Sequence, residues 1–517
     1  MTLDPQAGVS VDPAIVAGAS QDDMSILSVV TRESWLISMT WATTQASGFL
    51  LQNVDVHPSY IGDPLGNERR MTAIAFASHL FTFWRGSITY RFEFVGSAYH
   101  RGRLRVTWVP QSSVGGFTGD PVLLARNVIW DVADSTSLEI CVPYLGTTTY
   151  KRVPSAAAAY ANVLDAFCNG CVRIEVLSPL VSPLASQAAY INMYVRGGDD
   201  FRLANPTLKR VSGLSLTGAA STASVGAHLL ALARPCSGEI ICVDMGDATS
   251  ADHLADISFG ETIESFRPLI KRFSFYKVGL VEAQTTPVSY QLVRASLPTH
   301  PEPGFFIGAT NVPYNQQTFM SYLGAGYMAL RGGARWKVQT IRGRVSDLEN
   351  TYFFMNHEER SLVVTRMVDG PDVSVVTYPA MVNIEGAASP QANPYAQLLD
   401  DLHSDTGTGA VVTQDTGDEG KWVEFELPAT CPTRHTCALW PARFGTTASR
   451  AAVQQFGSDP GAWRLRMVMI NIGPSGAQPN NPYPAGYVAY AAAADDTSLI
   501  WFLAAPTLYT ADGSRFG

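Results

Sequence analysis

Residues 103–110 read RLRVTWVP, and this alternation restricts what the segment can become. Leu104, Val106 and Trp108 fall on one side, with Arg103, Arg105 and Thr107 on the other. Successive side chains of a strand point to opposite faces, so a period of two describes a sheet with one apolar and one polar face. The pattern recurs. SLEICVPYL gathers Leu138, Ile140 and Val142, VRIEVL sets Val172, Ile174 and Val176 against Arg173 and Glu175, and INMYVRG adds Ile191, Met193 and Val195. Farther on, KWVEFELP and WRLRMVMI alternate in the same way, and GYVAYAAAA and SLIWFLAAP are expected to form an apolar pair. Short half-buried strands separated by turns such as QSSVGGFTGDP predict an all-β chain of sandwich or jelly-roll type.

At 517 residues the chain exceeds one ordinary core, so two or more domains are expected. Residues 206–255 are rich in Ser, Gly, Ala and Thr without a sustained period, which predicts a flexible linker or an arm leading into a second domain. The expected division is an N-terminal arm over 1–30, a first domain over 31–205, that linker, and a second domain over 256–517. Two landmarks repeat in the same order. RGSITYRF (85–92) matches RGGARWKV (331–338), aligning Arg85 with Arg331, Gly86 with Gly332, Tyr90 with Trp336 and Arg91 with Lys337. Each follows an apolar stretch of helical spacing, TAIAFASHLFTFW or TFMSYLGAGYMAL, which predicts a helix running up to Arg-Gly and passing directly into a strand. Later, GGDDF places Asp199, Asp200 and Phe201 where AADDT places Asp495, Asp496 and Thr497. Landmarks recurring in order predict duplicated domains.

The chemistry is sparse. A net charge of -9 without a basic tail argues against a dominant polyanion binder. Of the seven cysteines only Cys168 and Cys171 have CxxC spacing, with no companion ligands, so free thiols in a reducing compartment and no metal are expected. The first residues lack a signal-peptide pattern, and the longest apolar run near the C-terminus is too short for a membrane span. No GxSxG, GxxxxGK[ST], HExxH or HxH occurs, so no cofactor is expected. Arg85, Arg101, Arg103, Arg105, Arg331 and Arg335 are candidates for contacts between subunits rather than for RNA, because arginine is enriched at interfaces. His100 reads as a satisfied strand-end histidine.

DDMSILSVVTRESWL, FWRGSITYRFEF, HRGRLRV and GGDDF in the first half, with FGETIESFRPLIKR, RGGARWKV and DDTSLIWFLAAPTLY in the second, resemble picorna-like virus capsid proteins of dicistrovirus, iflavirus and marine algal virus type. The resemblance implies two tandem eight-stranded antiparallel jelly rolls with short helices, in which RGSITYRFEFV is strand D, HRGRLRVTWVP strand E, VRIEVL strand H and AAYINMYVR strand I. It implies a structural protein of a nonenveloped icosahedral virion that encloses RNA. Its partners would be other capsid subunits, a third jelly-roll protein and a small internal peptide, with assembly in the host cytoplasm. In the family an Asp-Asp-Phe motif is proposed to promote single-turnover autolytic release of that peptide. Asp199, Asp200 and Phe201 match it, whereas Asp495 and Asp496 are followed by Thr497. Two adjacent carboxylates in a partly desolvated site can raise one pKa and create an acid or base. The competing role is a turn after strand I. Picornavirus-like proteases commonly cut after Gln, and none occurs between Gln187 and Gln284, so a cut between the halves would use a Glu site such as Glu239 or Glu261 or a different specificity, with retention of one fused chain as the alternative. The rival readings are a cellular carbohydrate-binding β-sandwich and a jelly-roll enzyme with a convergent pocket.

Overall fold

The computed structural model describes residues 22–60, 68–110, 126–146, 148–154, 164–182, 188–211, 214–215, 240–242, 259–280, 290–297, 301, 305–307, 312–342, 360–368, 412–415, 422–427, 436–437, 463–472 and 485–510. The chain divides into two compact units, one of Gln21–Pro268 with Phe502–Gly517, the other centred on Leu269–Trp501.

The first unit holds strands β1 (Ser34–Trp41), β2 (Leu50–Asp55), β3 (Ile88–Val95), β4 (Arg101–Val109), β5 (Arg126–Asp131), β6 (Ser137–Val142), β7 (Cys171–Val181) and β8 (Ala189–Gly197). One sheet runs β1-β8-β3-β6 and the other β2-β7-β4-β5, with every one of these pairs antiparallel. Apart from β4 and β5, no neighbours in either sheet are consecutive in the chain. This wrapping of one long hairpin into two sheets is the jelly roll. The alternation then explains the core. Ile88, Tyr90 and Phe92 of β3 are buried with Leu104, Val106 and Trp108 of β4, Val172, Ile174 and Val176 of β7, and Ile191, Met193 and Val195 of β8.

The second unit holds β9 (Ser274–Leu280), β10 (Tyr290–Leu297), β11 (Ala334–Arg342), β12 (Arg360–Val368), β13 (Val412–Asp415), β14 (Trp422–Leu427), β15 (Trp463–Ile472) and β16 (Ala485–Ala493). Its sheets run β9-β16-β11-β14 and β10-β15-β12-β13. Adding eight to each label of the first unit reproduces both orders, so the duplication extends to topology. The alanine run of β16 has a packing reason here. Ala489, Ala491 and Ala493 are buried between β9 and β11, and the small side chains let Tyr276 and Trp336 meet edge-on, centroids 5.2 Å apart.

Two expectations are corrected. The helices are short, Ala73–Ser78 and Phe319–Gly324, and each ends before a separate strand, Phe81–Arg85 or Tyr327–Arg331, that carries the chain to Arg-Gly. Phe81–Arg85 is rich in aromatic and β-branched residues and pairs with Arg202–Pro206 on one side and Lys151–Arg152 on the other, so sheet partners override a helical apolar period. GYVAYAAAA and SLIWFLAAP do not pair with each other. The first supplies β16, while Ser498–Phe502 joins a small sheet beside Tyr327–Arg331.

Candidate functional site

The two repeated landmarks meet in space, once in each unit. Gly86 has φ +123°, and a Cβ there would lie 2.5 Å from the Phe201 Cα and 2.8 Å from the Asp200 carbonyl oxygen. Glycine is therefore required twice over, for a dihedral that side chains disfavour and for the close approach of a second backbone. Asp200 closes the contact. Its Oδ1 accepts the Ser87 backbone N–H at 2.9 Å and also the Ser87 hydroxyl, while the Gly198 N–H donates to the Ser87 carbonyl at 2.8 Å. The start of β3 is thus latched to the end of β8.

The second unit repeats the latch. Gly332 has φ +97°, and its Cβ would fall 2.4 Å from the Thr497 Cα and 2.7 Å from the Asp496 carbonyl. Asp496 Oδ1 accepts the Gly333 N–H at 3.1 Å, and the Ala494 N–H donates to the Gly333 carbonyl at 3.0 Å. The residue after the aspartates differs for a visible reason. Phe201 is buried and stacks on Trp84 at 6.1 Å, whereas buried Thr497 donates its hydroxyl to the Gly333 carbonyl at 2.6 Å. The position that holds Trp84 in the first unit holds Leu330 in the second, so the aromatic partner is gone and a hydrogen bond takes its place. The repeat persists where residue types disagree. Asn205 and Trp501, each six residues past the first aspartate, both have φ of 58°. The helix caps are duplicated as well, with Thr72 accepting the Ala75 N–H and Thr318 forming a capping box with Ser321.

The first aspartate of each pair is exposed. Asp199 has no side-chain partner among the described residues, whereas Asp495 Oδ1 lies 3.1 Å from Lys271 Nζ. The Lys271 ammonium, by hydrogen bond and charge, with Arg335 adding to it, holds the Asp495 carboxyl below the ordinary carboxylate value. The carboxyl pushed upward nearby is Glu426 on β14, first by burial and then by the charges of Asp496 and Asp495. A search for adjacent acids passes over Glu426, because it joins this group only through the pairing of β11 with β14.

The arginines divide by partner. On the outer face of the β4 sheet, Arg103 Nε donates to Asp131 Oδ2 at 2.8 Å from a largely exposed position. Arg105 Nε donates to Glu175 Oε2 at 3.1 Å and Arg173 to Glu175 Oε1 at 2.8 Å, so one buried carboxylate (4% exposed) sits between two guanidinium groups. On the other sheet Arg91 donates twice to Glu33, at 2.6 and 2.9 Å, with its guanidinium 4.1 Å from the Tyr194 ring centroid, and Arg196 pairs with Glu139 at 2.5 Å. Arg101 donates to the Ala98 and His100 carbonyls at 2.9 and 3.1 Å, closing its own turn. Arg335 donates to the Lys271 carbonyl at 3.3 Å and lies 5.5 Å from the Phe273 centroid. Arg85 and Arg331 are half-buried where the short strands end. Cross-strand register created most of these partners, which is why no local motif announced Glu33, Asp131, Glu139 or Glu175.

A separate polar cluster is sealed in the first unit. Ser59 links two histidines, its N–H donating to His57 Nδ1 at 3.1 Å and its Oγ lying 2.9 Å from His79 Nε2. Burial pushes His57 down to about 4 and, with Arg210 and His57 adding, His79 down to about 3. The Tyr60 hydroxyl donates to the Asp55 carbonyl at 2.7 Å and meets the Tyr90 hydroxyl, and burial raises both phenols. Cys168 is pushed up to about 12 by burial and then by Asp55, which leaves a protonated, unreactive thiol. His100 is buried with Nδ1 against Ser97. Among the described residues, no His, Cys, Asp and Glu group is arranged to hold a metal.

Comparison with known proteins follows the same division into halves. A family model for picornavirus capsid protein matches residues 32–165, and one for CRPV capsid protein like matches 252–394. The structural polyprotein of cricket paralysis virus is 30% identical over 209 residues, covering 37% of this chain and 23% of the polyprotein. The genome polyprotein of deformed wing virus is 29% identical over 209 residues, covering 39% of this chain and 7% of its own length. The chain thus spans less than a quarter of the curated relatives it matches. Among solved structures, a marine algae virus of the order Picornavirales aligns at 23% identity and TM-score 0.36, over 40% of this chain and 84% of its own. Black queen cell virus aligns at 24% identity and TM-score 0.35 over the same shares.

Proposed function

The chain belongs to the picorna-like virus capsid proteins, and from that membership we propose that its two jelly rolls are tandem wedges of one nonenveloped icosahedral shell around positive-strand RNA. It is a structural component of the virion that assembles with other capsid subunits. The further partners are a third jelly-roll protein and a small internal peptide, and assembly takes place in the host cytoplasm. The observation that carries this reading is the repetition of a complete eight-stranded order, with the same glycine-aspartate latch, in both halves. One such wedge serves many folds, but two in tandem suit a surface tiled by quasi-equivalent units. Arg91, Arg103, Arg105 and Arg196 already face carboxylates of the same chain, which weighs against RNA as their partner. Arg85, Arg101, Arg103 and Arg331 are the positions we assign to neighbouring subunits. Electron microscopy of the chain expressed with the third jelly roll should show shells or pentamers. Monomers or small oligomers that bind saccharide would instead support the carbohydrate-binding sandwich.

The autolytic role divides within each aspartate pair. Asp200 and Asp496 hold the latch, so Asp199 and Asp495 are the carboxylates left to act on a peptide. Burial by a neighbouring subunit would supply the desolvation that the chain alone does not. Asp495→Asn with Asp496→Asn, and separately Asp199→Asn with Asp200→Asn, should each be scored for internal-peptide release in particles that still form. Normal release in either double variant removes that pair from the reaction.

A further inference from the structure

In the first unit the edge of the β1-β8-β3-β6 sheet carries one more short strand. Ile240–Cys242 adds to β6 in parallel, with Ile240 opposite Glu139, Ile241 opposite Ile140 and Cys242 opposite Cys141. On its other side β6 pairs with β3, which sets Tyr90 opposite Ile140 and Thr89 opposite Cys141. Residues opposite one another in neighbouring strands share a face of the sheet. The row Tyr90–Ile140–Ile241 is on the core face, since Tyr90 and Ile140 are buried. The row Thr89–Cys141–Cys242 is on the opposite face, where Cys141 is a half-buried thiol. Neighbouring strands lie about 4.8 Å apart, inside the roughly 4.4–6.8 Å between Cα atoms that a disulfide spans. Elsewhere among the described strands, Cys171 is opposite Asp55 and Val109, and Cys437 is opposite Ala329. Cys141 with Cys242 is thus the one register pairing of two cysteines there.

We infer that Cys141 and Cys242 form a redox cross-link site, whose disulfide fastens residues 240–242 to the edge of β6. Three residues in parallel pairing provide few ladder hydrogen bonds, so the backbone alone holds this addition weakly against local opening. A disulfide across it closes a loop of about 100 residues and fixes the register. It also keeps the main-chain groups of an edge strand covered. Cys168 and Cys171 are poorer candidates, because both are buried and burial pushes the Cys168 thiol up to about 12, leaving it protonated. The oxidant is a small disulfide of the glutathione class. The thiolate of one cysteine attacks a sulfur of that disulfide, breaking its S–S bond and expelling one glutathione thiolate. The second cysteine then attacks the protein sulfur of the mixed disulfide and expels the other. Two protein thiols give up two electrons and two protons, and the oxidant leaves as two molecules of glutathione. The timing rests on the capsid reading: the thiols persist in the reducing cytoplasm, and the bond forms on virions outside the cell. The register argument does not depend on that reading.

The test takes the full chain, purified under reductant, into oxidised glutathione, quenches it by alkylation and maps the linked peptides by mass spectrometry. A Cys141–Cys242 peptide should accumulate, together with a faster-running monomer band on a non-reducing gel. Cys141→Ser and Cys242→Ser should each remove both signals. Ile241→Cys with Cys242→Ser moves the thiol opposite Ile140, onto the other face, and should slow linkage to Cys141 at least about tenfold. Equal rates mean that a loose arm supplies the second thiol, and they overturn the inference. A disulfide from Cys141 to any other cysteine overturns it too, as does a linked dimer in place of the monomer band. If the shifted variant misfolds, amide exchange of the unaltered chain decides the matter. Oxidation should raise protection at 240–242 by at least about tenfold, and unchanged protection refutes the clasp. Every readout is taken on the unassembled chain, so failure to form particles leaves the inference untouched.

Discussion

Replacing Gly86 by alanine, with Gly48→Ala as the reference, isolates the contact between the two repeated landmarks. Both glycines have positive φ, +123° and +85°, but a Cβ at Gly48 meets nothing within 4 Å. Gly48→Ala therefore carries the dihedral cost alone, about 1–2 kcal/mol. Gly86→Ala carries a comparable cost, about 1–3 kcal/mol for a glycine-only region. It adds overlap with the Asp200–Phe201 backbone, which cannot swing aside as a side-chain tip can. Forcing extra volume into a packed site costs roughly 1–3 kcal/mol, for a total of about 2–6 kcal/mol. For a unit of this size each kcal/mol shifts the melting midpoint by about 2–4 °C, so Gly48→Ala should lower it by about 2–8 °C and Gly86→Ala by about 4–24 °C. Differential scanning calorimetry of the full chain, with the transition of the first unit assigned by amide exchange, measures both. Gly86→Ala should also lower the protection of the Ser87 and Gly198 amides, which the latch holds. A Gly86→Ala loss no larger than that of Gly48→Ala would refute the latch as an energetic element.

Other outcomes follow from the same geometry. Asp200→Ala should destabilise the first unit by about 1–3 kcal/mol, because it removes two hydrogen bonds to a charged acceptor, whereas Asp199→Ala should stay within about 0.5 kcal/mol; urea midpoints distinguish the two. Arg105→Ala leaves the buried Glu175 carboxylate one guanidinium short, with Arg173 still beside it, and should cost about 3 kcal/mol. Arg103→Ala, at an exposed and solvent-screened pair, should move the same titration far less than Arg105→Ala. His57, half-buried, and His79, buried, set a pH window. Their folded values, about 4 and about 3, lie below the ordinary 6.5. The unfolded chain therefore binds more protons below 6.5, and their contribution is complete above that pH. Each histidine withdraws about 1.4 kcal/mol per pH unit as the solution is acidified toward its folded value. His79→Gln should flatten the fall in melting temperature between pH 6.5 and 4, and an unchanged slope would exclude His79 as its source.

The strands of the first half were legible because burial on one face of a sheet imposes a period of two, and RLRVTWVP or VRIEVL shows it without help from the rest of the chain. The duplicated order of elements was legible too, because Arg-Gly and Asp-Asp recur in sequence. Helix and strand were confused at FTFWR, since a short apolar run satisfies either period and only the strands at Arg202–Pro206 and Lys151–Arg152 settle it. The sequence by itself determined that two sheet-forming halves exist, that glycine stands at each junction, and that acids cluster later in each half. The tertiary structure alone decided that the glycine and the second aspartate are parts of one latch, since 113 residues separate Ser87 from Asp200 and no local rule spans that distance. It alone brought Glu175 between Arg105 and Arg173, and placed 259–268 and 502–510 in the first unit. Periodicity reports which face of an element is buried, whereas partner, register and exchange of segments depend on contacts between residues far apart in the chain.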